Sequence, residues 1–149
     1  MSTYRWLLLY KLVTAAPTHS IEIQASHFRL LPKRHEAVWT GHVRARRAGT
    51  RMTCLKLLAY YTNDQMIDQI DCQGDAEVQD GDRWARGDQA HFDSDKDTVI
   101  VTGRPQARQG SNSVTGTKVI LQLGKSSMEV ENARVLYKSD HRIHRGVGN

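Results

Sequence analysis

The sequence predicts an all-β fold of repeated antiparallel strands, and three observations lead there. Glycines close successive apolar runs at a fixed spacing, apolar and polar residues alternate with period two between them, and no stretch after residue 20 carries a sustained helical stripe. At 149 residues the chain has the length of one domain and can bury a core without staples. Its 39% apolar and 25% charged residues exclude the disordered and collagen-like classes.

Taken in chain order, Met1 to Arg5 precede the apolar run Trp6-Leu7-Leu8-Leu9-Tyr10, which Lys11 interrupts before Leu12 to Pro17. A charged start, an apolar run and small residues near Ala15 are the parts of an export signal, so residues 1–17 are read as a signal or membrane-proximal segment. No other stretch approaches the roughly 20 apolar residues that span a bilayer. Residues 18–138 form the predicted β domain, and residues 139–149, with Arg142, Arg145 and two glycines, a basic flexible tail.

Within the domain, Gly41, Gly74 and Gly103 each close an apolar run, and 13 residues after each stand Cys54, Gly87 and Gly116. Steps of 16 join Ala25 to Gly41, Gly87 to Gly103 and Gly116 to Asn132, while Cys54 to Gly74 takes 20, the same step with a loop insertion. The unit is about 29 residues, read in alternating steps of 13 and 16. Asn132 replaces the last glycine, as suits a position needing positive φ. Alternation such as Val43/Ala45, Ala76/Val78, Ala90/Phe92, Val119/Leu121/Leu123 and Met128/Val130 marks half-buried strands. Turn clusters at Asn63-Asp64-Gln65, Asp80-Gly81-Asp82 and Gly110-Ser111-Asn112 separate them. Nine or ten strands in meander order are expected, bent at the glycines into an elongated sheet folded over one apolar side. Parity from the glycines turns Val43, Val78, Ala90, Val101, Val119 and Leu121 inward.

The net charge of +5 divides unevenly. Residues 1–20 contribute +2 and residues 138–149 another +2, leaving +1 for the body. There the signs are segregated: eight basic residues and only Glu36 from Arg29 to Lys56, then eleven acidic and three basic from Asp64 to Asp97. A bipolar body argues against a phosphate-tracking groove along the whole fold. The Arg44-Arg46-Arg47 cluster also lacks the interleaved aromatics of a base-stacking platform, so no nucleic-acid partner is expected. At least two of Arg44, Arg46, Arg47 and Arg51 are instead expected near a groove rim, where arginine pairs with phosphate.

No catalytic constellation assembles, so no enzyme is expected, and no cofactor. The seven histidines show neither zinc-type spacing nor pairing with cysteine. Asp88, Asp93, Asp95 and Asp97 lack the glycine and distal glutamate of a calcium loop and read as a solvated turn. A hairpin turning at Asn63-Asp64-Gln65 makes Cys54 and Cys72 diagonal neighbours on one face. The favoured reading is two small buried hydrophobes, with a disulfide open to suitable geometry.

The ordered set Ser20 to Ser26, Trp39-Thr40-Gly41-His42-Val43, Arg86 to Phe92, Val99 to Pro105 and Ser113 to Val119 resembles the OstA-like domain of the LptA family, periplasmic bridge proteins of lipopolysaccharide transport. The resemblance covers about residues 20–137. It implies an elongated β-jellyroll open along one side, a groove holding lipid A acyl chains, and end strands that join other OstA-like transport proteins of the inner and outer membranes edge to edge. It also implies a periplasmic location, a route toward the outer membrane and head-to-tail self-association, and it sets Ile21, Ile23 and Phe92 at groove-facing positions. A membrane-anchored LptC-like relative stays open because of Lys11, and the cysteine pair is not part of the family pattern. From a different class, a scaffold domain that only pairs its edge strands would share the same features.

Overall fold

The structure, a computed structural model, describes residues 20–137. The expected signal segment and basic tail lie outside the described residues. Twelve strands follow in order: β1 (Glu22–Gln24), β2 (His27–Leu31), β3 (Glu36–Arg47), β4 (Thr50–Tyr61), β5 (Ile67–Asp80), β6 (Arg83–Asp93), β7 (Thr98–Thr102), β8 (Gln106–Gln109), β9 (Asn112–Thr115), β10 (Lys118–Gln122), β11 (Ser127–Glu131) and β12 (Arg134–Leu136). A single 3-10 turn, Pro32–Arg34, leads into β3. Every pairing is antiparallel and all twelve strands belong to one sheet.

The count exceeds the nine or ten strands expected, because the chain makes eight passes and four of them are broken in the middle. β3, β4, β5 and β6 are unbroken passes; β1 with β2, β7 with β8, β9 with β10 and β11 with β12 are passes split by a kink. Counted as passes, the meander order holds. Kinks fall where the sequence spacing put them: Gly41-His42, Gly74-Asp75 and Gly103-Arg104 all have positive φ, at 85° and 47°, 85° and 46°, and 81° and 52°. Register shifts between Thr40 and Val43, Thr53 and Lys56, and Gln73 and Ala76 mark the same line of bulges. Asn132 sits at φ 52°, as a glycine substitute should.

Gly87 and Gly116 turn out to serve another purpose. Their backbones are not left-handed; instead a Cβ on Gly87 would lie 2.5 Å from the Thr102 carbonyl oxygen, and one on Gly116 2.5 Å from that of Glu131. Glycine is required there for close approach between neighbouring passes.

At each kink a pass crosses from one layer to the other. β3 pairs β1 along its second half and β2 along its first, and β6 pairs β8 along its first half and β7 along its second. One layer therefore runs β1, β3, β4, β5, β6, β8, β9, β12, and the other β2, β3, β4, β5, β6, β7, β10, β11, with the long strands shared. The result is an open β-jellyroll whose two layers face each other.

Cys54 and Cys72 form a disulfide with Cα atoms 5.7 Å apart, which corrects the favoured reading of two unlinked buried side chains. The bulge between Thr53 and Lys56 sets the geometry, shifting Cys72 opposite Leu57. With a separation of 18 residues, the link removes about 3 kcal/mol of unfolded-chain freedom.

Candidate functional site

Between the layers run three cross-strand rows that contain no polar side chain. In the first layer the partners are Ile23, Ala45, Met52, Val78, Ala85, Ala107, Val114 and Val135. In the second layer one row reads Phe28, Trp39, Leu57, Cys72, Ala90, Val101, Val119 and Val130. Beside it lie Leu30, Ala37, Ala59, Ile70, Phe92, Val99, Leu121 and Met128. Each row crosses eight strands, about 33 Å at the usual strand spacing. Period-two alternation makes this unavoidable: once the passes are in register, every inward residue meets another.

All nine side chains that the sequence assigned to a groove lie on this face. Val43, Val78, Ala90, Phe92, Val101, Val119 and Leu121 are buried within it, and Ile21 and Ile23 pack against it half-buried. The rows are packed in their middle and open at their ends, where Phe28 is 58% exposed and Leu30 51% at the β2 end, and Val135 38% at the β12 end. Phe28 leans on Trp39 with ring centroids 4.9 Å apart.

The layers are joined along one long side by the kinks. Along the other side lie the hairpin turns, at 48–49, 81–82 and 110–111 in the first layer and 62–66, 94–97 and 123–126 in the second. Two arginines close this seam. Arg47 Nη1 donates to Asp97 Oδ1 at 2.6 Å, and its guanidinium lies 5.4 Å from the Phe92 ring centre. Arg83, only 3% exposed, donates from Nη1 to the Ser127 carbonyl at 2.6 Å and to the Gln122 carbonyl at 3.3 Å, while its Nη2 pairs with Asp80. Asp80 in turn accepts from Thr50 Oγ1 at 2.9 Å. Beneath Arg47, Ile21, Met52, Ile70, Phe92, Val99 and Leu123 surround a cavity of about 30 Å³.

The structure separates Arg47 from the other three arginines that the sequence grouped near a rim. Alternation along β3 sends Arg47 inward with Val43 and Ala45, while Arg44 and Arg46, like Arg51 on β4, stand exposed on the outer face of the first layer. Arg83 was not anticipated, although its sequence signal exists: it shares the inward parity of Ala85 in Arg83-Trp84-Ala85.

Of the acidic run, Asp95 and Asp97 lie in the turn after β6, with Asp93 Oδ1 accepting from the backbone N–H of Asp95 at 3.0 Å, whereas Asp88 lies within β6. On the outer face of the second layer, Asp71 Oδ1 lies 2.5 Å from His91 Nδ1. Burial there, and then Asp71 and Glu36 nearby, pushes the Tyr60 hydroxyl above the usual tyrosine range, so it stays protonated. Among the described residues, no group of three or more His, Cys, Asp or Glu side chains is placed to hold a metal ion.

Comparison with known proteins agrees with this geometry. No curated protein sequence matches the chain. Among solved structures, the fold is similar to that of LptH from Pseudomonas aeruginosa, the LptA-homologous periplasmic component of its lipopolysaccharide transport device. The TM-score is 0.73 at 14% identity, covering 81% of this chain and 96% of that one. The family model described as LptA/(LptD N-terminal domain) LPS transport protein matches residues 22–127. With most of the jellyroll inside that match, the chain belongs to the LptA/LptD N-terminal domain family of lipopolysaccharide-transport proteins.

Proposed function

We propose that this protein carries lipopolysaccharide by shielding lipid A acyl chains between its two layers and passing them along a periplasmic bridge toward the outer membrane. The observation that carries this reading is the set of three unbroken apolar rows running from one end of the jellyroll to the other. An acyl chain gains about 0.8 kcal/mol per methylene taken out of water, so such a face suffices as a binding device. Transfer along it needs no covalent chemistry, because neighbouring positions are alike. Chains enter by parting the layers at the seam, where only a few polar contacts must break, rather than at the kinks, where the backbone is continuous. Family membership and the periplasmic LptH relative support the transport role and the location.

Parity supplies the test. A photoreactive residue at Phe92 or Leu121 should crosslink to added lipopolysaccharide, whereas one at the adjacent outward His91 or Ile120 should not. Phe92→Glu should lower crosslinking from Leu121 at least tenfold while the far-ultraviolet spectrum stays that of a β protein. Equal crosslinking from both faces would sink the reading and favour a scaffold domain that binds no lipid.

The ends complete the proposal. Among the described residues, β1 and β2 at one end and β11 and β12 at the other have an unpaired side, contain no proline, and continue the apolar rows. Other OstA-like transport proteins, or a second copy head to tail, would extend the sheet there by strand addition. Hydrogen exchange at rising protein concentration should gain protection in these four strands; new protection confined to β4 and β5 would contradict end-to-end docking.

A further inference from the structure

We infer that the outer face of the first layer, near the β1 end, holds an oxyanion site that takes a single phosphate group. A concavity of about 470 Å³ opens there, on the side of the sheet facing away from the apolar rows, and Arg44, Arg46 and Arg51 line it together with Glu22 and Glu77. The register sets Arg46 directly opposite Arg51. Two like charges at a facing cross-strand position repel each other, which costs the fold stability unless an anion sits between them.

The two carboxylates in the concavity offset this only in part: Glu22 stands opposite Arg46 and Glu77 opposite Arg86, and three arginines against two carboxylates leave an excess of positive charge in the hollow. Glu22 Oε1 accepts a hydrogen bond from Gln24 Nε2 at 3.1 Å, and Glu77 Oε1 accepts one from Trp84 Nε1. Among the described residues, neither forms an ion pair with Arg44, Arg46 or Arg51, although Arg47, Arg83 and Lys118 all have acidic partners. Arg44, Arg46 and Arg51 thus line one hollow with no carboxylate at ion-pair distance among the described residues, and Thr53 lines the same hollow. That donor set matches a tetrahedral oxyanion, which arginine binds through paired N–H groups.

Glu22 and Glu77 limit the ligand. An extended polyanion or a flat anionic bilayer laid across this face would have to approach both carboxylates, whereas one compact phosphoryl group can sit among the arginines. The ligand class is a single phosphate group, whose source is either the free ion or the phosphomonoester of a phosphorylated sugar headgroup. This site is independent of the acyl-chain reading, since it lies on the opposite face of the sheet.

The test follows the arginine Nε–H resonances of the full domain by NMR while inorganic phosphate replaces chloride at constant ionic strength. Saturable shifts at Arg44, Arg46 and Arg51, with none at Arg47 or Arg83, are expected. Arg46→Gln and Arg51→Gln should each weaken phosphate binding at least fivefold. Without phosphate, Arg51→Gln should not melt below the parent, because it removes the repulsion with Arg46 while the residue facing it on the other side is Gln79; a purely structural role would lower the melting temperature. A parallel titration with glucosamine 1-phosphate separates the sources: binding at least tenfold tighter than phosphate assigns the site to a sugar headgroup, and equal binding assigns it to the free ion. Shifts that grow linearly without saturating, or that arise only with duplex DNA or phosphatidylglycerol vesicles, would overturn the proposal.

Discussion

Gly87→Ala is expected to cost about 3 kcal/mol of stability, a fall in melting temperature of roughly 10 °C for a domain of this size. The added Cβ would meet the Thr102 carbonyl oxygen at 2.5 Å and the Val101 Cγ1 at 2.7 Å. The first contact is backbone, fixed by the pairing of β6 with β7, so no side-chain rotation relieves it. The passes must separate locally, and packed interiors resist that. Gly116→Ala should behave alike, since its Cβ would meet Glu131 O at 2.5 Å and Val130 Cγ1 at 2.6 Å. Gly49→Ala is the control: nothing lies within 4 Å and its backbone is not left-handed, so its effect should stay within about 0.5 kcal/mol. Calorimetry on the three variants decides the matter; equal melting temperatures would mean that the passes tolerate wider spacing than the structure shows.

Arg83→Met should be the most damaging single change at the seam, at about 2–3 kcal/mol. It strands Asp80 with Thr50 as its remaining side-chain partner and leaves the Gln122 and Ser127 carbonyls without their guanidinium donor. Arg83→Lys should recover only part of the loss, because a single ammonium cannot reproduce the fork that reaches Asp80 and two carbonyls together. Arg47→Met should cost less, under about 1 kcal/mol, since Arg47 and Asp97 are both partly exposed, at 26% and 37%. If the seam is where acyl chains enter, Arg83→Met should also take up lipopolysaccharide faster than the parent despite its lower stability. Urea titration and stopped-flow lipid capture measure the two effects separately, and unchanged stability would show that Arg83 does not hold the layers together.

Much of the architecture was legible because its signals are local. A left-handed glycine leaves a mark at one position, so Gly41, Gly74, Gly103 and Asn132 gave the kinks, and period-two alternation gave the inward face from Val43 to Leu121. What was not legible depends on how the layers meet. Strand pairing put Cys54 and Cys72 on one face, but whether they bond depends on the register shift between Thr53 and Lys56. The sequence neighbourhood of Arg47 shows a basic cluster, and only strand parity divides it into one seam residue and outward-facing arginines. Arg83 meets Ser127 across 44 residues, in a pairing fixed by the offset of one layer against the other. Gly87 and Gly116 matched the repeat, yet the spacing could not tell a bend from a close approach.

The kinked passes also make the length of the molecule adjustable in whole steps. Each pass lays one rung in both layers at once, and two passes make one unit of about 29 residues. Duplicating such a unit would lengthen the body by about 10 Å, two strand spacings, without redesigning either terminus or any existing contact except those at the insertion point. Deleting one would shorten it equally. A span of fixed width can therefore be matched by copying or losing a stretch of gene, while the two end surfaces that meet neighbours stay the same.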